Sequence, residues 1–87
     1  MSAPAVTVYA TGWCPYCQRA KELLREKHIA FTEVDVEADP ARRAEMIDRS
    51  GRRTVPQIFF GERHIGGCDD LFAIDRSGEL DRLIQGD

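Results

Sequence analysis

The sequence predicts an α/β fold, a four-stranded mixed β-sheet flanked by helices in the order βαβαββα. Three observations lead there. Apolar or alternating runs at 5–9, 30–36, 57–60 and 63–66 read as strands, while 15–27 and 40–50 carry apolar residues at helical spacing between them. The first two strands, joined by a helix, make a parallel βαβ unit. Gly61-Glu62 is a tight turn that makes the last two strands an antiparallel hairpin.

Each element follows from local chemistry. Val6-Thr7-Val8-Tyr9 is a short apolar strand. Helix one, 15–27, places Ala20, Leu23, Leu24 and the stem of Lys27 on one face, with Arg19, Lys21, Glu22, Arg25 and Glu26 on a solvated one. His28 at its end suits the helix dipole. Ala30 to Val36 alternates apolar and polar residues and is strand two. Asp39 is an N-cap with Pro40 at the first position, so helix two runs to about Ser50, buries Ala44, Met46 and Ile47, and stops at Gly51. Gln57–Phe60 and Arg63–Gly66 form the hairpin. Helix three covers about 70–76, Ser77-Gly78 interrupts it, and Leu80, Leu83 and Ile84 form a final amphipathic turn or two.

With 87 residues the chain makes one core and is read as a single domain over 1–87. A formal net charge of −3, with both signs mixed, gives no general attraction to nucleic acid or membrane. No apolar run approaches the roughly 18 residues of a membrane span. Met1-Ser2-Ala3-Pro4 shows no basic region leading into an apolar stretch, so no signal peptide is visible. Three cysteines is an odd count and a poor disulfide scaffold, so a reducing, cytoplasmic compartment is expected.

The chemistry centres on Trp13-Cys14-Pro15-Tyr16-Cys17, between strand one and helix one. Two cysteines at this spacing on a βαβ pattern read as a redox-active dithiol. With Cys14 capping the helix and Pro15 at its first position, the cysteines sit one turn apart on one face. That separation, roughly 5–6 Å between Cα atoms, lies in the disulfide window. The positive end of the dipole favours a Cys14 thiolate, so Cys14 is expected as the exposed nucleophile and Cys17 as the shielded resolving thiol. The competing readings are a zinc half-site and two inert core cysteines. Structural zinc needs four ligands, and Cys68, His28 and His64 lack paired ligand spacing.

Three further features lie downstream. Thr54-Val55-Pro56 sets a proline just before a strand that should be central. Either the bond is cis, leaving the Val55 N–H and C=O free for an extended peptide, or it is an ordinary trans proline at a strand entry. Gly66-Gly67-Cys68-Asp69-Asp70 is a nest-like turn at a helix start, able to hold a carboxylate on backbone N–H groups. Asp69 can accept from an amine there, and Asp69 or Asp70 can equally cap the helix. Cys68 is open between a packing role and an oxidisable wall of the site.

Taken together, these segments resemble the glutaredoxins, of the short bacterial dithiol type with the thioredoxin-like fold. Cys14-Pro15-Tyr16-Cys17, Thr54-Val55-Pro56 and Gly66-Gly67-Cys68-Asp69-Asp70 look like the family's three signature segments, with Gln57-Ile58-Phe59 and His64-Ile65 as flanks. The resemblance implies glutathione as co-substrate, no tightly bound cofactor and a monomer. The glutathione sulfur would meet Cys14, its cysteinyl backbone Val55 beside Pro56, and its γ-glutamyl carboxylate the Gly67-Cys68-Asp69 turn. Tyr16 and Thr54 would flank the glycyl end. Glutathionylated or disulfide-bearing proteins would be substrates, ribonucleotide reductase among those that fit. Some members instead carry an iron–sulfur cluster on the nucleophile of two protomers and two glutathiones, which proline after the nucleophile disfavours. Thr11 stands where the family commonly has lysine; Arg52 or Arg53 could supply part of that charge, the alternative being that both are simply solvated on the surface. Trp13 before the nucleophile is less usual, and either covers the sulfur or meets the protein substrate.

Overall fold

Strand β1, Val6–Ala10, is central and buried on both sides of the sheet. In this computed structural model, which describes residues 4–85, it pairs in parallel with β2, Thr32–Asp35, and antiparallel with β3, Gln57–Phe60. The hairpin partner β4, Arg63–Gly66, completes the order β2-β1-β3-β4. Successive strand residues point to opposite faces, and the core divides accordingly. Val6, Val8, Ala10, Ile58 and Phe60 pack with helix α1, Pro15–Glu26, helix α3, Cys68–Arg76, and helix α4, Glu79–Ile84. Tyr9, Val34, Val36 and Phe59 pack on the other face with Met46 of helix α2, Pro40–Ser50.

The helix ends follow their sequence signals. The Asp39 side chain accepts from the Ala41 N–H at 3.0 Å, Pro40 opens α2, and Gly51 closes it at φ 74°. At the end of α1, His28 takes φ 59°; its N–H donates to the Arg25 carbonyl and that of Ile29 to the Leu24 carbonyl. These are the two bonds of a Schellman motif, with buried Ile29 as its apolar anchor. Gly61, at φ 61°, turns the β3–β4 hairpin. A bulge in β4 opposite Ile58 and Phe59 ends the ladder at Gly66.

Three expectations need correction. Ala44 is exposed, because two residues on a helix are about 200° apart and Met46 defines the buried stripe of α2. Lys21 is buried rather than solvated, its Nζ 2.8 Å from Glu33 of β2. Helix α3 begins at Cys68, two residues early, because Gly67 is the N-cap. Smaller differences shift β1 by one residue and trim β2, although the Val36 N–H still donates to the Ala10 carbonyl at 3.0 Å.

Candidate active site

The turn after β1 delivers both thiols to the start of α1. Cys14 is the N-cap in extended conformation, Pro15 follows at the first position, and Cys17 lies one turn on. All three cysteines are free thiols. Cys17 is wholly enclosed, and burial, followed by its contact with Cys14, pushes its pKa up to about 11, against an opposing Thr11 backbone N–H. Cys14 was expected to be exposed, yet it is only 5 % accessible. Its sulfur turns inward to donate to the Val55 carbonyl oxygen at 3.9 Å, while its neighbours Trp13 and Tyr16 stand in solvent.

The Val55–Pro56 peptide bond is cis. Among the described residues the Val55 N–H has no hydrogen-bond partner. Beside this loop lies a cavity of about 190 Å³. Tyr16, Thr54, Val55, Pro56, Gly67, Cys68 and Asp69 all line it, so the predicted binding residues converge on one place. Gln57 fixes the loop from below: buried, its Nε2–H group donates to the Thr54 carbonyl at 3.0 Å, and its Oε1 meets His64 Nε2 at 2.7 Å. Burial, and after it the Arg52 charge, holds the His64 pKa below its ordinary value.

The far wall is the N-terminus of α3. Its first N–H groups have no carbonyl one turn back, which leaves them a positive pole toward the cavity. Asp70 Oδ2 accepts from the Gly67 N–H at 2.9 Å, and that bond, followed by the Arg52 guanidinium at 3.2 Å, holds its carboxyl below the usual range. Asp70 is therefore the cap. Asp69, the next residue back, is exposed, and among the described residues its side chain forms no hydrogen bond or ion pair. Cys68 is packed in the core cluster, as the packing reading expects, and it also lines the cavity. Burial raises its pKa.

Thus a dithiol at a helix start adjoins a cavity that reaches the N-terminus of α3. The family model described as glutaredoxin matches residues 6–65. The chain belongs to the glutaredoxin family. It is 54 % identical over 80 residues to glutaredoxin 3 of Escherichia coli (strain K12), covering 92 % of this chain and 96 % of that protein. The solution structure of glutaredoxin from Brucella melitensis matches at 52 % identity and a TM-score of 0.84, covering 97 % of this chain and 91 % of the other. The crystal structure of a buckwheat glutaredoxin–glutathione complex is 28 % identical with a TM-score of 0.88, covering 98 % and 80 %. As a glutaredoxin the protein is a thiol–disulfide oxidoreductase with the thioredoxin-like fold.

Of the two arginines considered for the missing lysine, Arg52 lines the cavity and Arg53 does not. Thr11 is buried, and its hydroxyl has no partner among the described residues. The sequence marks Gln57 only as the start of a strand and a flank of the signature segments, not as a support of the Thr54 loop, and its pattern does not pair Asp70 with Arg52. The signal for Gln57 was a lone amide opening an otherwise apolar strand; a buried polar group of that kind needs partners.

Proposed function

We propose that this glutaredoxin reduces glutathionylated proteins and protein disulfides with glutathione, through Cys14 as nucleophile and Cys17 as resolving thiol. The observation that carries this reading is the Cys14 sulfur at 3.9 Å from Val55 O, at the edge of a cleft that ends on the first turn of α3. Glutathione is an extended tripeptide with a carboxylate at each end and an amine at one. Val55 offers strand-like backbone pairing to its cysteinyl unit. The Cys68 and Asp69 N–H groups offer an anion site for the γ-glutamyl carboxylate, and the exposed Asp69 carboxylate a partner for the amine. Tyr16 and Thr54, which line the same cavity, would flank the glycyl end, while Arg52 lines it beside Asp70.

In the one-cysteine route, the Cys14 thiolate attacks the glutathionyl sulfur, the old disulfide breaks, and the protein thiolate leaves and takes a proton. A second glutathione thiolate attacks the Cys14 mixed disulfide, releasing oxidised glutathione and regenerating Cys14. In the two-cysteine route Cys14 opens a protein disulfide, and Cys17 closes on it to give Cys14–Cys17, which two glutathiones reduce. No bound cofactor takes part. A reducing compartment such as the cytoplasm, with the chain acting alone as one domain, suits this cycle. The test is glutathione-coupled reduction of a glutathionylated peptide by the native chain and by Cys17→Ser. Both should turn over; absence of turnover in the native chain sinks the reading.

A further inference from the structure

We propose that Trp13, held by Glu37, is a specificity-determining subsite for the polypeptide half of a mixed disulfide, one that favours a cysteine flanked by basic residues. The inference rests on the glutathione-dependent reading above. Among the described residues two large hydrophobic side chains are exposed, Trp13 at 68 % and Tyr16 at 56 %, and they bracket Cys14 in the chain. They face different neighbours. Tyr16 lines the cavity and Trp13 does not. The Trp13 indole Nε1–H instead donates to Glu37 Oε2 at 3.1 Å, just past β2.

The sheet order separates these two places. The cavity is walled by the segments entering β3 and α3, while Glu37 follows the opposite edge strand, with β1 and Cys14 between them. A mixed disulfide has two halves. With its glutathionyl half in the cavity, the polypeptide half extends from the glutathionyl sulfur into solvent, and the residues flanking its cysteine reach back over the exposed Trp13. When Cys14 Sγ bonds the glutathionyl sulfur in line with the old S–S bond, that bond breaks and the polypeptide sulfur departs on the side opposite Cys14 as a thiolate, taking a proton from solvent. An exposed indole beside a reacting sulfur is apolar contact area with few rotamers to freeze, and its hydrogen bond freezes them in advance.

The charge around Trp13 sets the partner's sign. Asp35, Glu37 and Asp39 are exposed, and none forms an ion pair among the described residues. Asp35 accepts from the Glu37 and Ala38 N–H groups and Asp39 caps α2, which fixes the loop without neutralising it. Nearby cations are engaged elsewhere: Lys21 with Glu33, Arg42 with Glu45, and Arg43 with the Arg53 carbonyl. A lysine or arginine next to the substrate cysteine complements this rim.

The experiment compares kcat/KM at low salt for two glutathionylated peptides, identical except for lysine or glutamate flanking the cysteine. The mixed disulfide of glutathione with 2-mercaptoethanol is the third substrate. The native chain should prefer the lysine peptide about tenfold, with the preference shrinking as salt is added. Trp13→Ala should lower kcat/KM for the lysine peptide about tenfold relative to the small mixed disulfide. Glu37→Gln keeps an acceptor for the indole and removes the charge, so it should erase most of the lysine preference. Equal turnover of both peptides by the native chain overturns the inference alone. So does a Trp13→Ala effect that is the same on peptide and small substrate. No turnover of any of the three substrates overturns the glutathione reading and this inference with it.

Discussion

The Cys14 thiol donates to the carbonyl oxygen of Val55 at 3.9 Å, joining the first turn of α1 to the loop before β3 across 41 positions of sequence. The sulfur therefore lies beside the backbone group with which the cysteinyl unit of an extended peptide would pair. Cys14→Ser should abolish glutathionyl transfer and disulfide reduction alike, since a hydroxyl cannot form the S–S intermediate. Steady-state assays on both substrates check this, and substantial residual turnover in either would remove Cys14 from the nucleophile's role.

Cys17 should resolve slowly at neutral pH. Its pKa of about 11 stems first from burial, and only then from Cys14. With Cys14 tied up in a mixed disulfide the Cys14 contribution goes, while burial, the largest cause, still pushes the Cys17 pKa up. The rate of closing Cys14–Cys17 from a trapped mixed disulfide should then rise about tenfold per pH unit from pH 6 to 8 without levelling off. Stopped-flow release of a labelled thiol measures it; a plateau below pH 8 would contradict the burial argument.

Asp69 and Asp70, adjacent in the chain, should fail in different ways. Asp69→Ala removes an exposed carboxylate that has no partner among the described residues, so the fold survives and KM for glutathione rises about tenfold, the weight of one charge-assisted hydrogen bond. Asp70→Asn weakens the cap on Gly67 and the pairing with Arg52, so it lowers stability. The Asp70 pKa is depressed in the folded state. Its contribution is present above the ordinary value of 3.8 and disappears as pH falls through the folded value. Urea titrations of both variants against the native chain at pH 7 and pH 3 separate the two roles; a stability difference for Asp70→Asn that is as large at pH 3 would count against it.

Much of this was legible from local rules. Asp39, Pro40 and Gly51 bound α2 by chemistry within a few residues, and Gly61 turns the hairpin for the same reason. The dithiol, the Val55–Pro56 segment and the glycine turn point to the candidate site because each is a short motif. What escaped depends on chain brought from afar. Lys21 of α1 pairs with Glu33 of β2, and the Cys14 thiol turns in toward Val55 in the loop before β3. The Tyr9 hydroxyl donates to Glu45 and accepts from Arg49 at 2.8 Å, with the Arg49 guanidinium 4.0 Å above the Phe59 ring. That network fastens α2 to the sheet, yet no local pattern announces it.

His64 should add a pH dependence to stability in a window of its own. Burial lowers its pKa in the fold, so the unfolded chain takes up a proton first as pH drops. The stability is full above the unfolded value of 6.5 and is lost as pH falls from there through the folded value. His64→Gln removes the titration, and its urea midpoint should change less between pH 7.5 and pH 5.5 than that of the native chain. Equal changes in both would exclude His64 as the source.

Gly66→Ala should damage stability and site together. Gly66 takes φ +122°, a left-handed region that side chains rarely occupy. A Cβ there would lie 2.3 Å from Asp70 Oδ2 and 2.9 Å from Asp70 Cβ, so rotating the carboxylate away does not remove the clash. The cap on Gly67 and the ion pair with Arg52 both depend on that carboxylate, so the start of α3 must shift, and with it the anion end of the cavity. Gly12→Ala is the matched comparison, because a Cβ at Gly12 meets nothing within 4 Å. The expected result is a loss of about 1–3 kcal/mol and a raised KM for glutathione in Gly66→Ala, against near-native values in Gly12→Ala. Similar stabilities for the two variants would mean that α3 can move aside freely, and the cap at Gly67 would then be too soft to position an anion.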